Sequence, residues 1–290
     1  MGDDNKDIDA VTGTSTTGHD WDGIRELNTP LPRWWLWSFY LSIVWAAGYW
    51  IVYPAWPLLT TATQGVLGYN TRTAIIEDLA ALKVQRGPMM DRLNNASLPE
   101  IVRDPQLIDF ARAQGRVAFA DNCAPCHGAG GGGAKGYPNL NDDDWLWGGK
   151  LDDISQTIRF GARSGHDKAR QGNMPPFTGV LKPTEISAVA GFARSLSGLP
   201  EEKGADLALG KKLFADNCAV CHGEVGKGNR ELGAPNLTDK IWLYASDKAT
   251  IVQGIQNGRG GVMPLWDGRL SEPVIKALTV YVYTFGGGEK

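Results

Sequence analysis

The chain is poor in the residues that most often carry chemistry, with four cysteines, four histidines and five methionines in 290 residues. With so few candidates, spacing must decide what each one does. Charge is also sparse: Asp, Glu, Lys and Arg make up 21% of the chain and leave a formal net charge of −3. That lacks the basic excess a phosphate backbone requires, which argues against nucleic acid as a partner. A weakly acidic surface suits a positively charged protein instead. No nucleophile–base pair and no shielded pair of carboxylates stands out. Residues 128–133 are glycine-rich but have neither the Lys-Ser/Thr of a phosphate loop nor a preceding strand. The chain therefore reads as no catalyst by itself. Long apolar runs are missing too, with one exception.

That exception is residues 34–53, which hold no formal charge and start just after Arg33. Twenty residues at about 1.5 Å each span a hydrocarbon core of about 30 Å. Trp34, Trp35 and Trp37 gather at one end, and Trp50, Tyr53 and Trp56 at the other, as membrane–water interfaces favour. The run is too long for the apolar part of a signal peptide, and no small-residue cleavage site follows it. Residues 34–56 are therefore expected to be a transmembrane anchor in contact with lipid. Lys6, Arg25 and Arg33 precede it, and no Lys or Arg follows until Arg72. Positive charge stays inside, so residues 1–33 are expected in the cytoplasm and the remainder outside. Within the first segment, residues 1–20 are rich in Asp, Thr and Gly and are expected to be disordered.

All four cysteines fall in two C-x-x-C-H motifs, Cys123-Ala124-Pro125-Cys126-His127 and Cys218-Ala219-Val220-Cys221-His222. This is the attachment motif of c-type haem. Two thioether bonds need cysteines one helical turn apart, and the next residue then aims its imidazole at the iron. A thioredoxin-like pair or half a zinc site shares the C-x-x-C. Neither explains a His in both motifs with no cysteine left over. Two covalently bound haems are expected, on Cys123 and Cys126 and on Cys218 and Cys221. Haem attachment at such motifs takes place on the outer side of the bacterial inner membrane or its organellar equivalent, which also puts the chain beyond the anchor in the periplasm.

The motifs belong to a longer repeat. Residues 119–124 recur as 214–219, Pro138-Asn139-Leu140 as Pro235-Asn236-Leu237, and Trp145 as Trp242. Met174-Pro175 recurs as Met263-Pro264, with extra residues near 163–172 in the first copy. Two copies make a duplicated domain rather than a solenoid. Each has an apolar-striped helix leading into the motif, a glycine-rich loop, a short helix, a Met-Pro loop and a closing helix, 183–196 and 271–285. That is the helix order of small class I cytochromes c. The expected fold is all-α, one transmembrane helix followed by a linker at 57–105 and tandem class I cytochrome c domains at 106–199 and 203–290. The linker should carry a helix over 73–84, broken at Gly87-Pro88 and Leu98-Pro99. Gly115 and Gly210 should let the closing helix of their own copy come close, at Phe192 and Tyr281.

His127 and His222 are the proximal iron ligands by position. For the sixth ligand, only Met174 and Met263 occupy equivalent places, 47 and 41 residues after the proximal His. A thioether raises the potential of haem iron, which suits an electron carrier. Whether each Met serves its own copy or the other is open. His166, in the extra residues of the first copy, reads as a solvated loop His. The Pro138 and Pro235 carbonyls are candidates to accept the proximal Nδ1–H and fix the ring. Arg159, Arg163 and Arg259 are candidate partners for haem propionates.

Beyond these residues, the chain resembles the dihaem subunit III family of cbb3-type cytochrome c oxidases. The resemblance rests on Asp22-Gly23-Ile24, Glu26-Leu27-Asn28 and residues 30–35 before the anchor. It continues in residues 53–57 and 65–69 after it, and in the two haem motifs. It implies an electron-transfer subunit beside a haem-copper catalytic subunit and a monohaem cytochrome c subunit, passing electrons from a periplasmic cytochrome c toward the oxygen-reducing site. It also implies Met174 and Met263 as sixth ligands. A free-standing, membrane-tethered dihaem shuttle is the alternative. A dihaem peroxidase or gas sensor would need a ligand that leaves.

Overall fold

The computed structural model describes residues 8–200 and 206–289. The chain is predominantly helical and divides between Val84 and Gln85 into two compact units.

In the first unit, strand β1 (Thr16–Trp21) pairs antiparallel with β2 (Ile24–Leu27), with Trp21 opposite Ile24. The expectation of disorder over residues 1–20 fails for this stretch, while residues 1–7 and Lys6 lie outside the described residues. The overlooked signal is Asp22-Gly23. Both residues have positive φ, 54° and 90°, the two-residue turn that best matches strand twist. The Asp20 carboxylate accepts the Gly23 amide at 2.6 Å, and the Trp21 indole donates to Glu26 at 3.1 Å.

Helix α1 (Arg33–Val52) follows. It has no buried residue and is the one helix among the described residues long and apolar enough to cross a membrane. Ser38 and Ser42 donate to the Trp34 and Phe39 carbonyls of the same helix, so neither hydroxyl needs water. The last turn is capped by the chain that returns to it. The Val66 and Leu67 amides donate to the Ile51 and Val52 carbonyls at 2.9 and 3.1 Å. Gly65, at φ 67°, allows this because a Cβ there would strike Tyr53.

Helix α2 (Thr71–Asn95) contains the division and carries Pro88 in its interior. The expected break at Gly87-Pro88 does not occur. A proline inside a helix costs about 3 kcal/mol, but Leu93, wholly buried, packs with Met89 and Met90 against Ile101, Leu107 and Ala111. Burying one such side chain contributes about 1.5–3 kcal/mol, so Leu93 together with the partly buried Met89 and Met90 offsets the proline. The second expected break holds. Ser97 and Glu100 form a reciprocal cap on α3 (Leu98–Arg103), with Pro99 in its first turn.

The rest of the second unit contains α4 (Pro105–Asn122), α5 (Ala124–His127), α6 (Leu151–Phe160) and α7 (Pro183–Leu196). The second copy supplies α8 (Leu207–Asn217), α9 (Ala219–His222), α10 (Lys248–Asn257) and α11 (Glu272–Tyr283). The boundary expected between 199 and 203 falls partly outside the described residues. Asp104, Asp206 and Asp247 cap α4, α8 and α10 by accepting first-turn amides. Ser271 sits at the expected cap of α11 but makes no side-chain cap bond there.

The packing overturns one expectation. The buried stripe of α4, Leu107, Ala111, Gly115 and Phe119, faces α11 of the second copy, while α8 faces α7 of the first. A Cβ on Gly115 would lie 2.6 Å from the Tyr281 Cβ, and one on Gly210 would lie 2.9 Å from the Phe192 Cβ. Each glycine thus meets the aromatic of the other copy, not its own. Two antiparallel bridges mark the exchange. Ala162 and Met263 trade backbone hydrogen bonds of 3.1 and 3.0 Å, and Met174 and Arg259 trade bonds of 2.9 and 3.0 Å. Similar copies present nearly the same groove and the same closing helix, so local sequence permits either pairing. Only the route of the chain selects one, as in domain swapping.

The exchange predicts a coupling pattern. Phe119 meets Tyr281 edge to face, with ring centroids 5.6 Å apart. A double-mutant cycle on this pair, read by equilibrium unfolding, should give about 0.5–1.5 kcal/mol of coupling. A cycle on Phe119 and Phe192 should be additive within about 0.5 kcal/mol.

Candidate functional site

Both C-x-x-C-H motifs fold the same way. The α4 and α8 helices end where Asn122 and Asn217 donate back to the carbonyls of Ala118 and Leu213. The next turn is closed by His127 N–H to the Cys123 carbonyl and His222 N–H to the Cys218 carbonyl, each 2.9 Å. Cys and Cys three residues apart on one turn share a face, and the His follows on the same turn. Burial, with a smaller contribution from the neighbouring thiol, pushes Cys123 and Cys218 up to about 11. Both are therefore neutral thiols at pH 7.

Each imidazole is held from behind. His127 Nδ1 lies 3.0 Å from the Pro138 carbonyl and His222 Nδ1 lies 3.1 Å from the Pro235 carbonyl. A carbonyl only accepts, so Nδ1 carries the proton and Nε2 keeps its lone pair for a metal. Burial also pulls the His222 pKa below the usual histidine value, partly opposed by the Pro235 bond, which favours the neutral ligand form. The glycine loops make the approach possible. A Cβ on Gly133 would come within 2.6 Å of the Tyr137 carbonyl oxygen, and one on Gly228 within 2.5 Å of the Ala234 carbonyl oxygen. With larger residues there, the proline carbonyls would be pushed away from the rings.

The methionines follow the exchanged helices. Met174 packs with Phe214 and Cys218 in the core of α7, α8 and α10, and it lines one cavity with Cys221 and His222. Met263 packs with Phe119, Cys123 and Ile154 in the core of α4, α6 and α11. Each thioether is thus brought to the motif of the other copy. The cavity beside the second motif has a volume of about 810 Å³, within the range of cofactor sites. The Trp242 indole N–H lines it, is buried and has no partner among the described residues, so a hydrogen-bond acceptor belongs there. Two thiols, an imidazole and a thioether lining one cavity are a donor set that fits a covalently attached haem c, which the cysteines would attach and the His and Met could hold.

The remaining candidates separate. Arg159 is engaged with Glu272, Asp267 and Ser155 and is not available for a propionate. Arg163 and Arg259 both line the cavity of the second motif. His166 is a half-buried loop residue: its ring stacks on Phe160 at 4.8 Å and its Nδ1 accepts the Lys168 amide at 3.0 Å. Trp145, the counterpart of Trp242, donates to the Gly287 carbonyl at 2.6 Å. That contact joins positions 142 residues apart and has no local sequence signal.

Comparison with known proteins places these features among relatives. Residues 13–60 match the family described as the N-terminal domain of cytochrome oxidase-cbb3, FixP. Residues 110–192 and 205–282 match that described as cytochrome c oxidase, cbb3-type, subunit III. The chain is 60% identical over 288 residues to the cbb3-type cytochrome c oxidase subunit FixP of Bradyrhizobium diazoefficiens, covering 99% of each chain. It is 61% identical over 282 residues to the FixP of Azorhizobium caulinodans, covering 97% of this chain and 96% of the relative. It is 48% identical over 277 residues to the subunit CcoP of Cereibacter sphaeroides, covering 94% and 95%.

One carboxylate on the cavity wall titrates unusually. Burial, then Asp239 and Asp142, raise Asp144 from 3.8 to about 6. Between about pH 4 and 6 the folded chain therefore binds more protons than the unfolded one, and this group's contribution to stability falls as pH rises. Asp144→Asn removes the cost of the buried charge. Its melting temperature should match the parent below about pH 4 and exceed it increasingly up to about pH 7, as read by thermal unfolding across pH 4–8.

Proposed function

Because the chain belongs to the cbb3-type cytochrome c oxidase subunit III family, and is thus a cytochrome c electron-transfer subunit of that oxidase, we propose that it carries two c-type haems and relays single electrons through them from periplasmic donors toward the haem-copper subunit. Haem iron, when bound, supplies a one-electron centre whose potential is set by its axial ligands. The chain's own residues do the rest. Cys123 and Cys126 attach one haem and Cys218 and Cys221 the other. His127 and His222 are the proximal ligands, oriented by the Pro138 and Pro235 carbonyls. Met263 completes the site of His127, and Met174 that of His222. The observation that carries this ligand set is the packing of each methionine against the cysteine turn of the opposite copy.

The subunit is non-catalytic by itself and works beside the haem-copper subunit and a monohaem cytochrome c subunit. Helix α1 anchors it, with residues 1–33 cytoplasmic and the haem-bearing part periplasmic in the inner membrane. The absence of any buried residue in α1 supports this, since it leaves the helix surface for lipid or a neighbouring subunit. So does the positive charge confined to its amino-terminal flank.

Two measurements test the reading. Purified in mild detergent, the chain should bring haem b and oxygen uptake with a cytochrome c donor. Recovery of c-type haem alone would favour a free-standing shuttle. In redox titrations, Met174→His and Met263→His should each lower one centre by more than about 59 mV, a tenfold change for one electron. In a chain whose only attachment cysteines are Cys218 and Cys221, Met174→His alone should have this effect.

A further inference from the structure

The arginines are distributed unequally between the two sites. Beside the first motif, Arg159 is paired with Glu272 and Arg170 with Asp153. On the cavity of the second, Arg163 and Arg259 have no carboxylate partner among the described residues. The Arg163 guanidinium donates to the Gly261 and Gly172 carbonyls at 2.5 and 2.6 Å and lies 5.9 Å over the Trp147 ring. Arg259 donates to the Thr250 carbonyl at 3.2 Å and stacks on Tyr244 at 4.0 Å. Asp142 and Asp144 line the same cavity, but the charges acting on Asp144 are those of Asp239, Asp142, Arg230 and Asp143.

A guanidinium held only by carbonyls and rings keeps its full charge in partly desolvated surroundings, which is costly without an anion. Burial pulls Arg163 below the usual arginine range, and no carboxylate offsets it. Its backbone is strained as well, at φ 53°, a conformation non-glycine residues adopt at a cost. That conformation lies just past Gly161, where the first copy crosses to the second. It turns a first-copy side chain onto the second cavity, which also holds the unpartnered Trp242 N–H. Both features call for a carboxylate or similar acceptor at that place.

We propose that Arg163, with Arg259, binds the propionate carboxylates of the haem attached at Cys218 and Cys221, and that this cationic pair raises the reduction potential of that haem specifically. The proposal rests on the ligand set above. Two positive groups at the haem edge favour the ferrous state, which carries less positive charge than the ferric one. Since Arg163 comes from the first copy, the exchange that delivers Met174 to the second site also delivers this charge. The pair would accordingly bias electrons toward the second haem.

The test is a redox titration of the full chain in detergent, followed by reduced-minus-oxidised spectra. Arg163→Gln should disfavour reduction of one centre about three- to tenfold, a fall of up to about 59 mV, and leave the other unmoved. The centre affected should be the one that Met174→His lowers. Arg163→Lys should restore most of the potential, and Arg170→Gln, which removes a guanidinium already paired with Asp153, should change neither centre. If Arg163→Gln moves both centres equally, moves the Met263→His centre or moves neither, the proposal is overturned. A shift confined to the assembled oxidase also overturns it, because the carboxylate would then belong to another subunit. Failure of the ligand reading is distinct, since then Met174→His itself moves no centre.

Discussion

The contact on which the second unit depends is the close approach of a leading helix to a closing helix at a glycine, Gly115 on α11 and Gly210 on α7. With no Cβ in the way, the helices approach until backbone meets side chain, and the apolar stripes above and below the glycine close over one another. Phe119 and Phe214, one turn further on, are thereby buried directly beneath the cysteine turns. Haem attachment, ring orientation and the position of the Met-Pro loop all refer to this crossing. Because each crossing joins the two copies, the haem-binding parts form one interlocked body rather than two beads on a string.

Interlocking has a functional consequence. In a tandem arrangement each haem environment would be encoded within about a hundred contiguous residues and could drift independently. Here the environment of the second motif includes Met174, Arg163 and Phe177 from the first copy, and that of the first includes Met263, Trp266 and Phe285 from the second. Packing around each motif is thereby coupled across the copies. The two short bridges at Ala162–Met263 and Met174–Arg259 carry that coupling, and Gly161 and Gly258 stand at both because a Cβ would strike the opposite methionine's carbonyl.

Much of the site was legible in the sequence because it is local. A C-x-x-C-H turn and a histidine backed by a proline carbonyl across a glycine loop are set by neighbours within about fifteen residues, and they fold the same way in both copies. The apolar helix was legible for the same reason: twenty consecutive residues without a formal charge need no tertiary context. The hairpin at 16–27 was also local but was missed, since its strands are too polar to show an apolar period and only Asp22-Gly23 announces it. The uninterrupted α2 was missed for the opposite reason, because the tertiary packing of Leu93, Met89 and Met90 offsets the penalty of Pro88.

What the sequence by itself determined is therefore the set of candidate groups: four thiols in two C-x-x-C-H turns, the two imidazoles that follow them, and two thioethers in equivalent Met-Pro loops. What only the tertiary structure decided is the partnership, that Met174 and Arg163 lie with Cys218 and Met263 lies with Cys123. The physical reason is the duplication. Two similar copies offer each closing helix two nearly equivalent grooves, so no local preference distinguishes them, and the choice falls to the path of the chain between them.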